Sequence, residues 1–309
     1  MTKTFTLVPR GPYSLDASAS FLCGFTPASG SSARLDDGRL VLGFLDERRL
    51  APVAVALSQR KSGGDVLGEV MGEVGELPEQ VARILSLDHD ARGLETIARR
   101  DPVVAALLAA TPGFRPVCFP SPYEAAVWGV LAQRISMPVA AGIKQRLAVA
   151  TGTVAEGWGR MFHPSPAPER LLGVRSFAGV SAEKLARLHA VALAALDGKL
   201  DAATLRAMPC DRATSELRAI RGVGPWTAEH IVMRGCGVVD ALPSSEPRVL
   251  RGIAEAYGLD TTPSALAVDR LTEALTIAEG WRPYRMWIAV LMVMNLRAAK
   301  QWRKIDRAS

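Results

Sequence analysis

One fifteen-residue stretch, Leu217 to Ile231 (LRAIRGVGPWTAEHI), restricts the fold of this chain more than any other. Leu217 and Ile220 mark the inner face of one helix as it ends, and Gly222-Val223-Gly224 makes a two-glycine turn. Pro225 stands where a proline opens a second helix, whose inner face includes Ala228 and Ile231. Glycines permit backbone angles and a closeness of approach that a side chain forbids, and the first amide N–H groups of the second helix lack helical acceptors. Such a turn can cradle a phosphate with main-chain donors at the positive end of a helix, gripping a nucleic-acid backbone without reading bases. A tight turn between packed helices uses the same glycines, so a bare Gly-x-Gly decides nothing. Here the whole pattern hxxhxGhGxxTAxxh is present, h being apolar.

The chain on either side divides by periodicity. In the first ninety residues Phe5, Leu7 and Pro9 alternate with polar neighbours, Arg39 to Leu45 and Pro52 to Leu57 are short apolar runs, and Val66, Gly68 and Val70 alternate again. Turns are predicted at Asp36-Asp37-Gly38 and Ser62-Gly63-Gly64-Asp65. One helix is expected from Ser14 to Gly24, with Leu15, Ala19 and Leu22 inward, and another from about Pro78 to Leu87. Beyond residue 90 strand signals vanish and helix starts recur: Asp101-Pro102, the capping box Ser121-Pro122-Tyr123-Glu124, Ser181, and Asp211 after the closing Gly198. Eight to ten helices are expected between 91 and 309, with His163 to Pro168 as a proline-rich loop. The fold class is therefore α+β: a small antiparallel sheet domain with helices over 1–88, then an all-α body over 89–309, in two helical lobes with the hairpin at 214–234.

Composition narrows the function. Of 309 residues, 49% are apolar and 22% charged, which excludes disorder as the main theme. The net charge of +6 is unevenly spread, −3 over residues 1–90 and +9 over 91–309, so the helical part suits a polyanionic partner, although solvated arginine faces give the same count. The longest apolar run, Met286 to Met294, is too short to span a membrane, and no signal-peptide core precedes the first strand, so a cytoplasmic protein is expected. Cys23, Cys118, Cys210 and Cys236 form no CxxC pair, and neither a zinc site, an iron–sulfur loop nor a disulfide framework is expected.

Other segments line up with the hairpin. They are Gly11-Pro12-Tyr13 with the helix ending Phe21-Leu22-Cys23-Gly24-Phe25; Pro112-Gly113-Phe114-Arg115, Tyr123-Glu124 and Ala132-Gln133-Arg134-Ile135-Ser136; the stretches 163–172 and 192–200; and Trp281-Arg282-Pro283-Tyr284-Arg285. Together with the hairpin they make nearly the whole chain resemble the helix-hairpin-helix DNA glycosylases, and among them the bacterial 3-methyladenine glycosylase II group. In that group the segments around Arg115, Tyr123 and Arg134 resemble the part that enters the duplex.

The resemblance implies a glycosylase that hydrolyses the N-glycosidic bond of alkylated bases, above all cationic purines such as 3-methyladenine. The family's essential residue is an aspartate at the start of a helix just past the hairpin. Matching Leu242-Pro243 and the next helix puts Glu246 there, longer by one methylene. A carboxylate suits that place, because breaking a base–sugar bond develops positive charge on the sugar, which a fixed anion stabilises while orienting water. A glutamate in a first helical turn is also favourable for the helix dipole alone. Asp240 is the reserve candidate, read as helping to form the loop.

Related enzymes that also cut the strand, such as endonuclease III, carry a lysine two residues after the second hairpin glycine. Here Trp226 stands there, so the resemblance implies a monofunctional, water-using enzyme. Trp226, His230 and Tyr284 match base-pocket positions, where electron-rich rings favour a cationic purine, while core packing would equally account for each. Gly222, Val223, Gly224, Thr227, Gln133 and Arg134 match DNA-contacting positions, with Arg134 at the wedge that fills the gap left by the flipped base; a helix-end cation is the plainer account of Arg134. Arg218, Arg221, Arg234, Arg248, Arg282 and Arg285 are candidate phosphate contacts. No cofactor is required on this resemblance, a monovalent cation at the hairpin being the one ion it allows. The implied partner is double-stranded DNA with a damaged base, bound by a nucleoid-associated monomer. A relative that binds damage without hydrolysis, or a glycosylase for another modified base, are the alternatives.

Overall fold

The computed structural model describes residues 2–35, 37–259 and 267–305. Five antiparallel strands form the first layer: β1 (Thr2–Leu7), β2 (Ser32–Arg34), β3 (Leu40–Asp46), β4 (Ala51–Gln59) and β5 (Val66–Met71), in the order β1-β5-β4-β3-β2. β5 alternates as expected, Val66, Gly68 and Val70 turning inward, whereas every residue of β3 is buried. That explains why β3 reads as an unbroken apolar run: Leu40, Leu42 and Phe44 face the main core, and Val41 faces a second cluster with Ala54, Ala56 and Phe162. Gly43 is required there, since a Cβ on it would lie 2.1 Å from the Phe162 side chain. β2 was not foreseen, and Asp36 of the predicted turn lies outside the described residues.

Helices α1 (Leu15–Gly24) and α2 (Leu77–Ile84) flank the sheet, and twelve more follow among the described residues, exceeding the expected eight to ten: α3 (Gly93–Arg100), α4 (Pro102–Ala110), α5 (Pro122–Leu131), α6 (Met137–Ala150), α7 (Pro168–Leu172), α8 (Ala182–Leu196), α9 (Ala202–Ala207), α10 (Cys210–Arg218), α11 (Pro225–His230), α12 (Pro247–Tyr257), α13 (Ala267–Glu279) and α14 (Arg285–Ile305). Ser14, Asp101, Ser121 and Ser181 cap their helices through side-chain oxygens. Among the described residues no helix is long and apolar enough to cross a membrane.

Two expectations are corrected. The body is not all-α: β6 (Ala155–Gly157) and β7 (Arg160–Phe162) form a hairpin over the outer face of β3 and β4, three residues per strand being too few for periodicity to register. The capping box at Ser121 is half made, because Glu124 does not bond back to it. Its buried carboxylate accepts the N–H groups of Leu45 (3.1 Å) and Ser165 (2.9 Å), joining α5 to β3 and to the proline-rich loop.

The boundary expected at residue 88 falls between α2 and α3, yet both sides share one core. Leu40, Phe44, Val55 and Leu57 of the sheet cluster with Trp287 and Met292 of α14 and with Trp281 of the turn before it. Arg115 sits at that junction, 1% exposed. Its guanidinium donates to the carbonyls of Arg10 (2.8 Å), Gly11 (3.1 Å), Pro12 (3.1 Å), Ser86 (3.0 Å) and His89 (3.0 Å), between the rings of Tyr13 and Trp287. Arg115, Tyr123 and Glu124 are therefore interior residues and do not belong to a duplex-entering surface; of those segments the 132–136 turn reaches the exterior.

Candidate active site

α10 and α11 form the hairpin read from the sequence. Leu217 and Val223 pack inward, Gly222 has φ +91°, and Gly224 is extended with φ −87° and ψ −178°. α11 passes directly into a π-helical turn, Ile231–Gly235, whose extra residue per turn is a feature often found beside functional sites. Gln133, in the turn between α5 and α6, donates to the Gly222 carbonyl (2.9 Å) and accepts from Arg187 (2.9 Å). Lys184 donates to the carbonyls of Leu131 and Gln133, both at 2.9 Å. The 132–136 turn is thereby held beside the hairpin, with Arg134 exposed and in the left-handed region at φ +59°.

Next to the hairpin is a cavity of about 220 Å³, larger than the ~150 Å³ that accommodates a benzene ring. Trp226, His230, Arg234, Glu246 and Arg248 line it, so five residues selected from the sequence converge. Trp226 and His230, one helical turn apart on α11, stack at 4.9 Å and 10°, and Phe119 meets His230 edge-on. Burial, reinforced by the charge of Arg234, pulls the His230 pKa down to about 3, so its ring is neutral at physiological pH.

Glu246 caps α12. Its Oε1 accepts from the Arg248 backbone N–H (3.2 Å) and Nε (2.7 Å), and its Oε2 from Arg248 Nη2 (2.8 Å) and Trp226 Nε1 (3.0 Å). Burial alone would raise its pKa, but the Arg248 guanidinium and the Trp226 N–H outweigh that and bring it to about 2. Glu246 is therefore a fixed anion in a mostly apolar and aromatic wall, whose other ionisable side chains besides His230 are Glu229, Arg234 and Arg248. Asp240 does not line the cavity; it pairs with Arg282 and Arg285, each at 2.7 Å.

Four other expected site residues stand elsewhere. Tyr284 is buried and does not line the cavity, its hydroxyl donating to the Asp90 carbonyl (2.6 Å) and its ring against Trp287. The side chains of Val223 and Thr227 are buried, Thr227 against Gly129, so neither presents a side chain to a ligand. Gln133 has both ends of its amide engaged within the protein. Among the arginines, Arg221 pairs with Glu183, Arg234 donates to the Val117 carbonyl over the Phe25 ring, and Arg218 is exposed.

The sequence reading missed Phe21 and Phe25, which stack at 5.0 Å and line the same cavity, along with Met233, Met286 and Glu229. The available signal was the i,i+4 pair of aromatics at the end of α1, left without a role.

No family model matches the chain. Over 209 residues, 66% of the chain, it is 33% identical to the probable bifunctional transcriptional activator/DNA repair enzyme AlkA of Mycobacterium tuberculosis, but it spans only 40% of that protein's length. It is 25% identical over 283 residues to DNA-3-methyladenine glycosylase 2 of Escherichia coli, covering 80% of this chain and 95% of that one. In three dimensions it matches the 3-methyladenine DNA-glycosylase from Archaeoglobus fulgidus with a TM-score of 0.74 at 19% identity, over 95% of this chain and 98% of that one.

Proposed function

The chain is a 3-methyladenine glycosylase II-like protein of the helix-hairpin-helix class, and from that premise we propose that it hydrolyses the N-glycosidic bond of alkylated bases, cationic purines first, in double-stranded DNA. The observation that carries this reading is the ionised Glu246 at the wall of an aromatic, base-sized cavity beside the hairpin. The bond to C1′ breaks with its electron pair leaving on the base, so an alkylated purine that was cationic departs neutral. Positive charge grows on the sugar opposite Glu246, which stabilises it. Water then adds to C1′ and gives up its proton to the carboxylate or to solvent. Trp226 and the Phe21–Phe25 pair supply ring faces for an extruded cationic base. The proposed setting is chromosomal DNA in the cytoplasm, with the protein acting as a monomer.

Release of free base from dimethyl sulfate-treated duplex tests the reading directly. A second reading, a protein that binds damage without hydrolysis, is favoured by one observation: Arg248 engages both oxygens of Glu246 and so offsets part of the negative charge that the reaction needs. Tight binding of methylated duplex with no free base would select that second reading.

Two expectations follow at the hairpin. A Cβ on Gly224 meets nothing within 4 Å and the backbone there is extended, so Gly224→Val should leave the melting temperature unchanged and weaken binding of damaged and undamaged duplexes alike. Gly222→Val, at φ +91° and facing the Arg187 side chain at 2.7 Å, should also destabilise the fold. Anisotropy titrations with both duplexes check this, and loss confined to the damaged duplex would count against a backbone cradle.

Borohydride should not trap the protein on DNA, and the product strand should stay intact until alkali is added. Trapping needs an imine from an amine; the indole nitrogen of Trp226 is no nucleophile, and no lysine lines the cavity among the described residues. A covalent adduct appearing together with strand cleavage would overturn the monofunctional assignment.

A further inference from the structure

Trp226 and Glu229 leave α11 three residues apart, on one face, and that face meets the segment carrying Glu246. Trp226 touches the Glu246 carboxylate itself, whereas Glu229 takes hold of the chain just before it. Its Oε1 accepts from the hydroxyls of Ser244 (3.2 Å) and Ser245 (2.8 Å), and its Oε2 from the Ser245 backbone N–H (3.0 Å). All three donors are neutral and the acceptor is charged, the stronger class of hydrogen bond.

The remaining bonds around Glu246 shape this segment without locating it. Ser244 N–H to the Leu242 carbonyl and Glu246 N–H to the Pro243 carbonyl close local turns. The Arg248 clamp comes from two residues further along and travels with Glu246. What ties the segment to α11 is therefore Glu229, with the single Trp226 bond beside it.

Building on the assignment of Glu246 above, we propose that Glu229 is a positioning residue: its carboxylate anchors the Ser244-Ser245 turn and so sets where the Glu246 carboxylate stands against the cavity. Glu229 does not act on the sugar. It makes the place of the anion a property of α11, the same helix that carries the stacking platform, so ring and charge keep one spacing. The role needs acceptors for three donors more than it needs charge. A glutamine retains this capacity, because serine hydroxyls can rotate to accept from its NH2 group while its oxygen takes the Ser245 N–H.

The test is single-turnover base release from dimethyl sulfate-treated duplex at saturating protein, with duplex affinity and melting temperature measured alongside. Glu229→Ala should slow release by about 100-fold, as a displacement near 1 Å does, with duplex affinity unchanged. Glu229→Gln should restore most of the rate. Ser244→Ala with Ser245→Ala should slow release to a similar degree and add nothing to Glu229→Ala, the non-additivity of groups acting as one unit. Full rate in Glu229→Ala, additive losses, or a Gln variant as slow as the Ala variant would each overturn the proposal, the last by assigning the charge itself to the reaction. The Glu246→Gln protein separates the two levels. If it keeps full activity, the catalytic assignment and this proposal fall together; if it is inactive while Glu229→Ala is active, the positioning role alone falls.

Discussion

Replacing Glu246 by glutamine should cut single-turnover base release from methylated duplex by at least about a thousandfold while leaving duplex affinity within about threefold, because the anion acts on charge that exists only in the transition state. Glutamine keeps the size of the side chain and an oxygen that can still accept from Trp226 Nε1, while its NH2 group replaces the oxygen that accepts from the Arg248 N–H and Nε, so the cavity wall keeps its shape and the anion is lost with part of its Arg248 clamp. The pH dependence carries the same assignment. With a pKa brought down to about 2, Glu246 is ionised throughout the neutral and mildly acidic range, so lowering the pH should not titrate it until the medium is strongly acidic. An acid limb near pH 4 to 5, the ordinary carboxylate range, would contradict the Arg248 and Trp226 contacts that hold it down. Glu246→Asp is the finer probe: shortening the side chain withdraws the carboxylate from Trp226 Nε1, now 3.0 Å away, and a loss of about 10- to 100-fold is expected. Unchanged activity in Glu246→Gln would move the catalytic role elsewhere.

Arg115→Met should be the most damaging single change to the fold outside the cavity. It removes a donor from five carbonyl groups, of which that of Arg10 keeps the Ala91 N–H; unsatisfied buried groups cost about 1–3 kcal/mol each, so with relaxation, solvent access and the apolar gain of methionine a loss of about 4 kcal/mol is expected. For a domain of this size that is a fall of ~10 °C in melting temperature. Burial draws the Arg115 pKa down to about 10, which still leaves the guanidinium protonated at neutral pH, so its donors are all in place where the measurement is made. Lysine is no substitute, since three donors on a point charge cannot reach five carbonyls spread over two segments. A thermal shift scan of wild type, Arg115→Met and Arg115→Lys decides it; melting temperatures within about 2 °C of one another would show that water takes over the arginine's role.

What the sequence made legible was local. A cap is a side chain reaching the amide two or three residues on, so Ser14, Asp101, Ser121 and Ser181 could be placed from their neighbours alone, and the two hairpin glycines declared their turn in the same way. What it hid was assembled across distance. Phe21 and Phe25 reach the cavity from two hundred residues away, and nothing near them in the chain announces the partner surface. Tyr284 has the aromatic character of a pocket residue, but Asp90 and Trp287, which draw it inward, are named only by the tertiary structure. Arg115 falls in a segment that resembles one entering the duplex, and the run of carbonyls that holds it in the interior leaves no mark on a sequence. Likewise β6 and β7 are strands only because β3 and β4 offer them an apolar face to cover.

The amide of Gln133, bonded to the Gly222 carbonyl, makes one rigid piece of two turns that are 89 residues apart in the chain. On the proposed mode of binding, one turn grips the phosphate backbone and the other carries Arg134 toward the base stack. The span between them then works as a fixed gauge laid along the duplex. On that reading, undamaged, well-stacked DNA would offer no opening at that interval and a weakened base pair would, so the search for damage would be a mechanical measurement taken before any base is inspected.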